Sequence, residues 1–303
     1  METAGGAPSG GAGRGLAVSA PGDATATTHR GSEPATRGPA IELDDVTKRF
    51  RTPSRSYYTA VRDLTFTVPQ GQFCAIVGPT GSGKSTTLSL IAGLEHPSQG
   101  RVRVLGDPVA GVTRRAGYMF QTDAVFPWKN VLDNVATGPL YRDVEAPEAR
   151  RRARDWIARV GLAGFEDRYP NQLSGGMRKR VSLAQTLINE PQILLMDEPF
   201  GALDVQTRVL MEGELLDLWS QTTASVVFVT HDLEEAISMA DRVLVFTAAP
   251  ATLKRAYEID LPRPRNVAEI RFDRRFTDLY HHIWEDLRDE VVIAYERSTK
   301  SAG

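Results

Sequence analysis

Residues 73–85 of the chain read FCAIVGPTGSGKS. The first five form a continuous apolar run, which is typical of a short strand buried on both faces of a sheet. After the glycine-rich segment, apolar side chains recur at helical spacing, at Leu88, Ile91 and Leu94. A buried strand, a glycine-rich loop and a helix are therefore predicted in direct succession.

The loop between strand and helix fits the phosphate-binding pattern G-x-x-x-x-G-K-[ST]. Its glycines allow successive backbone N–H groups to turn inward around a phosphate, and the following helix presents its positive end. Lys84 can reach the β- and γ-phosphates of a nucleotide, and Ser85 can offer its hydroxyl oxygen to Mg²⁺. A purely structural glycine-rich turn is the alternative, which the position between strand and helix disfavours. We predict that the chain binds a nucleoside triphosphate through Gly78, Pro79, Thr80, Gly81, Ser82, Gly83, Lys84, Ser85 and Thr86.

A second apolar run, at residues 193–198, reads ILLMDE and ends in two carboxylates. A strand in a parallel sheet would deliver Asp197 to its carboxyl end, beside the phosphate loop, where the carboxylate can hold Mg²⁺ through water. Glu198 is the next residue after Asp197, and its side chain points in a different direction from that of Asp197. This placement suits a general base that polarises the attacking water. Acidic residues also cap strands and helices without any catalytic role, but their pairing with a phosphate loop favours the catalytic interpretation.

Strand-like and helix-like patterns alternate along most of the chain. Strands are predicted at 41–43, 61–68, 73–77, 101–105, 116–120, 193–196, 225–229 and 243–246. Between about 128 and 190 the apolar residues recur at helical spacing, which predicts a helical insertion. A further helix is predicted from one apolar stripe, formed by Phe272, Phe276, Leu279, Ile283 and Leu287. The alternation predicts an α/β fold with a mostly parallel sheet covered on both faces.

The composition excludes several classes of protein. Of the 303 residues 41% are hydrophobic and 24% charged, and the net charge of −2 provides no basic field that would favour nucleic acid as a partner. No apolar run approaches the ~18 residues that cross a bilayer. The single cysteine, Cys74, cannot form an internal disulfide, and its place within a strand predicts a small core side chain. Residues 1–40 have only Leu16 and Val18 as large aliphatics and are predicted to form a disordered tail.

Four further motifs, in the order found in one protein family, accompany the two sites. Gln121 follows the strand predicted at 116–120, Ala202-Leu203-Asp204 follows the acidic strand, and His231 follows the strand predicted at 225–229. The fourth motif, Leu173-Ser174-Gly175-Gly176-Met177, would form a second anion cradle at a helix start. From residue 41 to about 290 the chain therefore resembles the ATPase subunits of ABC transporters. In that family these four motifs are called the Q-loop, the D-loop, the switch histidine and the signature sequence.

The resemblance implies a P-loop NTPase core of the ABC ATPase type, with an antiparallel β subdomain and a helical subdomain at about 125–185. We expect the ATPase domain at 41–265 and a C-terminal helical extension at 266–303. The family also implies a head-to-tail homodimer. ATP and Mg²⁺ would lie between the phosphate loop of one subunit and the signature sequence of the other.

Residue roles follow from the same resemblance. Glu198 would act as the base, His231 would hold the phosphate and orient the water, and Lys84 would contact the phosphates. The metal ligands would be Ser85, Gln121 and Asp197, and Gln121 would also link to the membrane partner. The signature residues that would contact the γ-phosphate in trans are Ser174, Gly175 and Gly176.

The aromatic residue that stacks on adenine in this family lies at the end of the first strand, where this chain has Phe50. Two tyrosines in the following loop, Tyr57 and Tyr58, could take that position instead. Core packing would explain any one of the three aromatic side chains equally well.

A narrower similarity points to one branch of the family. Residues 126–135, FPWKNVLDNV, resemble the ATPases that serve importers of nitrate, taurine and aliphatic sulfonates. Met177-Arg178 and the segment DLPRPR at 260–265 fit the same branch, and Met177 replaces the more widespread signature glutamine. We therefore expect an ATP-hydrolysing, energy-coupling subunit of an importer for a small anionic nutrient.

The importer interpretation implies specific partners and a location. The partners would be transmembrane permease subunits and, indirectly, an extracytoplasmic substrate-binding protein, with the chain peripheral on the cytoplasmic face of the membrane. Phe126, Pro127 and Trp128 would line the groove that receives a permease helix, or else would anchor a buried loop. No nucleic-acid partner is expected.

Three other functions remain open. They are the ATPase of another ABC transporter class, a non-transport ABC ATPase that works on DNA or ribosomes, and a non-catalytic nucleotide-binding regulator. The single ATPase module argues against the second, because only 119 positions separate Gly78 from Asp197 and leave no room for a long coiled-coil insertion.

Overall fold

The computed structural model describes residues 38–53 and 55–301, so most of the tail predicted at 1–40 lies outside the described residues. The strands of the described part are β1 (Ile41–Arg51), β2 (Tyr57–Val68), β3 (Phe73–Val77), β4 (Gln99–Val104), β5 (Asp107–Pro108), β6 (Ala116–Met119), β7 (Ile193–Asp197), β8 (Ser225–Val229), β9 (Arg242–Phe246) and β10 (Leu253–Glu258). Its helices are α1 (Lys84–Ala92), α2 (Val131–Leu140), α3 (Ala146–Arg159), α4 (Gly175–Leu187), α5 (Val205–Ser220), α6 (Leu233–Met239), α7 (Val267–Ile270) and α8 (Arg274–Ser301), with a short 3₁₀ turn at Pro170–Gln172.

The larger sheet has six strands in the order β10-β9-β3-β8-β7-β6. The strands from β9 to β6 are parallel to one another, and β10 pairs antiparallel with β9 at one edge. The carboxyl ends of β3, β8 and β7 therefore open on the same edge of the sheet. This topology confirms the predicted α/β class and brings together the loops that follow these strands.

Alternate residues of each central strand face two different hydrophobic cores. In β3, Phe73, Ala75 and Val77 pack with helices α2 to α8, whereas Cys74 and Ile76 pack with β1, β2, β4 and α1. Because both faces are covered, the strand is apolar throughout rather than alternating. Burial raises the pKa of the Cys74 thiol to about 12, so this residue is a neutral core side chain, as predicted.

A second sheet, in the order β2-β1-β4-β5, is antiparallel throughout. Its backbone hydrogen bonds extend to the residue before β1, Ala40, which was predicted to belong to the tail. Ala40 is fully buried, and its backbone N–H donates to the carbonyl oxygen of Val68 at 2.8 Å. Backbone pairing with β2 therefore includes Ala40 in the ordered structure.

Helices α2, α3 and α4 occupy the segment between β6 and β7. Helix α2 starts after Asn130, whose Oδ1 accepts a hydrogen bond from the backbone N–H of Asp133 at 2.8 Å. The buried Asn134 accepts a hydrogen bond from the Phe126 N–H and donates one to the Phe126 carbonyl, which holds the preceding loop. Trp128 on this loop is 72% exposed, so it is not a buried anchor.

The C-terminal helix α8 packs against α6, β9 and β10, with Phe276, Ile283 and Leu287 buried. Phe272, which was predicted to extend the same stripe, is 81% exposed. The prediction for Phe272 is wrong because the chain turns after α7 and Asp273 accepts the first hydrogen bonds of α8, so Phe272 precedes the helix. Within residues 38–53 and 55–301 no helix combines the length and the apolar character that crossing a bilayer requires.

Candidate functional site

A cleft of about 550 Å³ lies at the carboxyl edge of β3. The phosphate loop, two strands of the antiparallel sheet, and the loops that follow β6, β7 and β8 all contribute to its walls. The residues that line it are Phe50, Tyr58, Ala60, Thr80, Gly81, Ser82, Gly83, Lys84, Ser85, Thr86, Gln121, Glu198 and His231. Most of the residues predicted to bind nucleotide therefore share one cavity.

The backbone conformation of the phosphate loop requires glycine at two positions. Gly81 and Gly83 have φ angles of +76° and +102°, in the region that side chains rarely adopt. A Cβ on Gly83 would also lie only 2.6 Å from the carbonyl oxygen of Ala60 on β2. Helix α1 begins at the next residue, so its unpaired first-turn N–H groups lie at the cleft.

Lys84 is held at the base of the phosphate loop. Its Nζ donates to the carbonyl oxygens of Gly78 at 2.9 Å and Pro79 at 3.0 Å. Burial lowers the pKa of this ammonium, and the nearby carboxylates of Glu198 and Asp197 act in the opposite direction. A phosphate oxygen is a stronger partner for a desolvated cation than a neutral carbonyl. The site therefore favours an anionic ligand.

Ser85 and Asp197 meet although they are distant in sequence. Ser85 Oγ donates to Asp197 Oδ1 at 2.9 Å, which joins the start of α1 to the end of β7. Burial raises the pKa of Asp197, while the Ser85 hydrogen bond and, more weakly, Lys84 lower it. A hydroxyl and a carboxylate oxygen are hard donors of the kind that Mg²⁺ prefers, so the pair fits such an ion.

Glu198 lies between two other residues predicted to belong to the site. Gln121 Nε2 donates to Glu198 Oε2 at 3.1 Å, and His231 Nδ1 lies 3.2 Å from the same oxygen. Glu198 has a φ angle of +43°, a conformation uncommon for residues other than glycine. The structure thus brings together one carboxylate and two polar side chains from three separate loops.

Two aromatic residues line the opposite wall of the cleft. Phe50 packs at the edge of the core formed by the antiparallel sheet, with Lys48 Nζ 4.8 Å from its ring centroid. The Tyr58 hydroxyl donates to the carbonyl oxygen of Gly81 at 3.5 Å. Tyr57 is exposed and does not line the cleft, which leaves Phe50 and Tyr58 as the aromatic candidates.

The signature residues are not among those lining this cleft. Ser174 precedes α4, and its Oγ accepts a hydrogen bond from the Met177 N–H at 3.3 Å. The Ser174 side chain is exposed, and Gly175 and Gly176 are partly exposed. The structure therefore presents this turn at the surface, separate from the phosphate loop of the same chain.

Sequence reasoning missed one charged cluster beside the site. Asp123, two residues after Gln121, contacts Arg178 and Lys179 of α4. The only signal in the sequence is an acidic residue near the Q-loop and two cations at the start of a helix. Such charges usually face solvent, so the pattern does not reveal the pairing.

The parallel sheet with its phosphate loop defines a P-loop nucleoside triphosphatase. The sequence matches the ABC transporter family over residues 61–201. It is 41% identical over 252 residues to an uncharacterized ABC transporter ATP-binding protein, MJ0412, of Methanocaldococcus jannaschii, which covers 83% of this chain and 92% of the relative. The chain belongs to the ABC transporter ATP-binding proteins and is an ATP hydrolase coupled to transport.

Relatives with more specific names are also similar. The taurine import ATP-binding protein TauB of Burkholderia pseudomallei is 41% identical over 241 residues, 78% of this chain and 93% of the relative. The aliphatic sulfonates import ATP-binding protein SsuB of Bacillus cereus is 34% identical over 257 residues, 85% of this chain and 96% of the relative.

A solved structure shares the fold. A dimeric post-hydrolysis state of the ATP-binding cassette MJ0796, bound to ADP and Pi, has a TM-score of 0.66 and 29% identity, covering 73% of this chain and 100% of that chain. The predicted family and fold class are thereby confirmed.

Proposed function

We propose that this chain is the energy-coupling subunit of an ABC importer for a small anionic nutrient of the taurine, sulfonate or nitrate type. The relatives TauB and SsuB support import and a sulfonate-like cargo. Residues 126–135 and 260–265 support the same branch of the family. The observation that carries the ATPase chemistry is the meeting of Lys84, the Ser85–Asp197 pair and Glu198 around one cleft.

In this proposal the phosphate loop and the first turn of α1 bind the triphosphate. Lys84 exchanges its two carbonyl partners for phosphate oxygens. Glu198 accepts a proton from the attacking water, and its orientation is supported by Gln121 and His231. The His231 side chain is 56% exposed, so it can also reach the γ-phosphate.

The proposed Mg²⁺ ligands are Ser85 Oγ, Asp197 through water, and the amide oxygen of Gln121. The ion would neutralise negative charge on the transferred phosphoryl group. In the described part of the chain no group of three or more His, Cys, Asp or Glu side chains forms a metal site. A site with few protein ligands is typical of Mg²⁺ bound together with nucleotide phosphates.

We further propose that a second copy completes the nucleotide site. The exposed signature turn would supply Ser174 Oγ and the backbone N–H groups of Gly175 and Gly176 to the γ-phosphate bound by its partner. The dimeric MJ0796 structure supports such a homodimer.

The aromatic pair before α2, in which Phe126 is partly buried and Trp128 is exposed, is the proposed docking surface for a permease. The Phe126 and Trp128 rings lie 5.5 Å apart, and Trp128 projects into solvent. Exposed aromatic side chains are frequent anchors of protein interfaces. The chain would then be peripheral on the cytoplasmic face of the membrane, with an extracytoplasmic binding protein delivering the substrate to the permease.

Two measurements test the proposal. Purification from detergent-solubilised membranes should recover the chain with an integral membrane permease, whereas recovery with ribosomes or DNA and no membrane protein would contradict the transport role. The reconstituted complex should hydrolyse ATP faster when taurine, an alkanesulfonate or nitrate is supplied with the binding protein. A complex that responds only to a cationic or apolar solute would contradict the cargo.

A further inference from the structure

A charged cluster connects the segment after β6 to the start of α4. Arg178 Nε donates to Asp123 Oδ2 at 3.0 Å, and Lys179 Nζ lies 3.0 Å from Asp123 Oδ1. One carboxylate therefore pairs with two cations from adjacent positions of a helix. Because Asp123 is itself three-quarters buried, these contacts are shielded from the solvent that weakens surface ion pairs.

The same two cations also bind backbone carbonyls of two different motifs. Lys179 Nζ donates to the carbonyl oxygen of Gln121 at 2.9 Å. Arg178 Nη1 donates to the carbonyl oxygen of Leu173, the first signature residue, at 2.8 Å. The Lys179 side chain is only 3% exposed, so its charge depends on Asp123 and the Gln121 carbonyl for stabilisation.

We propose that Asp123, Arg178 and Lys179 are positioning residues that make Gln121 and the signature turn move as one unit. The inference rests on the proposed function, in which Gln121 serves the chain's own nucleotide and Ser174 serves the partner's. Since Gln121 also contacts Glu198, any displacement of Gln121 on nucleotide binding or hydrolysis is transmitted through Asp123 to the signature turn. The cluster thereby couples the two nucleotide sites of a dimer within one chain.

A double-mutant cycle with Gln121 tests the positioning role. Lys179→Met keeps a long side chain in the buried position and removes the charge. We expect kcat for ATP hydrolysis to fall about tenfold, because one charge-assisted hydrogen bond is lost, with KM changed less than about twofold. In a Gln121→Ala background the same substitution should change kcat by less than about twofold, since the Gln121 side chain, which Lys179 positions, is absent. An equal loss in both backgrounds would overturn the inference.

A matched control lies at the next position of the helix. Arg180 forms an ion pair with Glu214 and donates to the carbonyl oxygen of Val160 at 2.9 Å. Arg180→Met also removes a cation from α4, and we expect it to lower Tm while kcat per folded molecule stays within about twofold of the wild type. If Arg180→Met lowers kcat as much as Lys179→Met, general weakening of the helix explains both results and the positioning role is wrong.

Hydrogen exchange tests the linkage without relying on hydrolysis. Asp123→Asn removes the charge shared by both cations, so amide exchange should accelerate in the peptides that contain Gln121 and in those that contain Leu173 and Ser174. Acceleration in only one of the two segments would show that they are not linked. If the wild-type protein fails to hydrolyse ATP, the proposed function fails, and this exchange measurement still decides the linkage.

Discussion

His231 Nδ1 lies 3.2 Å from Glu198 Oε2, although 33 positions separate the two residues in the chain. The contact follows from the sheet, because β7 and β8 are adjacent parallel strands and each residue lies just beyond the end of its strand. The positive φ of Glu198 is a strained conformation for a residue with a side chain. Strain of this kind is characteristic of sites where the direction of a side chain matters for function.

Replacing Glu198 by glutamine tests the assignment of the base. We expect Glu198→Gln to bind ATP as the wild type does and to lose turnover by about 10²-fold or more, since an amide has a similar shape but cannot accept the proton. Phosphate release and equilibrium ATP binding would measure the two effects. With Mg²⁺ and ATP the variant should accumulate as a dimer in size-exclusion chromatography. A variant that stays monomeric at saturating nucleotide would contradict the proposed two-subunit site.

Replacing Ser85 by alanine tests the proposed metal site. Loss of the hydroxyl ligand should raise the Mg²⁺ concentration needed for half-maximal ATPase activity by about tenfold. Ser89→Ala is the control, because Ser89 Oγ bonds to the carbonyl of Ser85 one turn along the same helix and does not line the cleft. An unchanged Mg²⁺ dependence of Ser85→Ala would remove this residue from the metal site.

Alanine substitutions can identify the aromatic residue that stacks on the base. Phe50→Ala should weaken ATP binding by ~1–3 kcal/mol, the range for stacking of one base on an aromatic ring. Tyr57→Ala is the control, because Tyr57 is exposed and lies outside the cleft. If Tyr58→Ala weakens binding and Phe50→Ala does not, then Tyr58 is the stacking residue.

Two glycines outside the cleft should respond oppositely to alanine. Gly93 has a φ angle of +73°, and a Cβ there would overlap the carbonyl oxygen of Gly111. Gly93→Ala should therefore destabilise the protein by at least ~2 kcal/mol. Gly213 lies within α5 with open space around it, and Gly213→Ala should stabilise the protein by ~0.5–1 kcal/mol. Thermal unfolding measures both, and a stable Gly93→Ala variant would refute the close approach of the two loops.

The buried carboxyl of Glu212 should make stability depend on pH. Burial, with added repulsion from Glu235 and Asp232, raises its pKa from 4.5 to about 8. Between these values the folded protein keeps a proton that the unfolded chain releases, so stability falls as pH rises through this range. Glu212→Gln has no such proton, and its Tm should fall less than that of the wild type between about pH 5 and about pH 8.5. Parallel Tm curves for the two proteins would contradict the raised pKa.

The fold and most of the cleft could be predicted because they depend on local patterns. A strand buried on both faces must be apolar throughout, and a loop that cradles phosphate must contain glycine, so residues 73–85 predict both without tertiary information. The topology of a parallel sheet then predicts that Asp197 lies near Ser85, because the carboxyl ends of all its parallel strands share one edge.

Other features depend on where separate segments meet. Phe272 has the spacing of its helical neighbours, yet the turn before α8 leaves it in solvent. Trp128 is equally compatible with a buried and an exposed loop until Asn134 fixes the backbone beside it.

The sequence by itself determined the class of fold, the phosphate loop and the family, because each is encoded in contiguous residues with local geometric requirements. Only the tertiary structure decided that Tyr58 shares the cleft with Phe50, that Asp123 pairs with Arg178 and Lys179, and that the signature turn lies apart from the cleft of its own chain. The physical reason is that ion pairs and cavity walls join side chains from distant segments. Their distances are set by the packing of whole helices and sheets rather than by the spacing of residues along the chain.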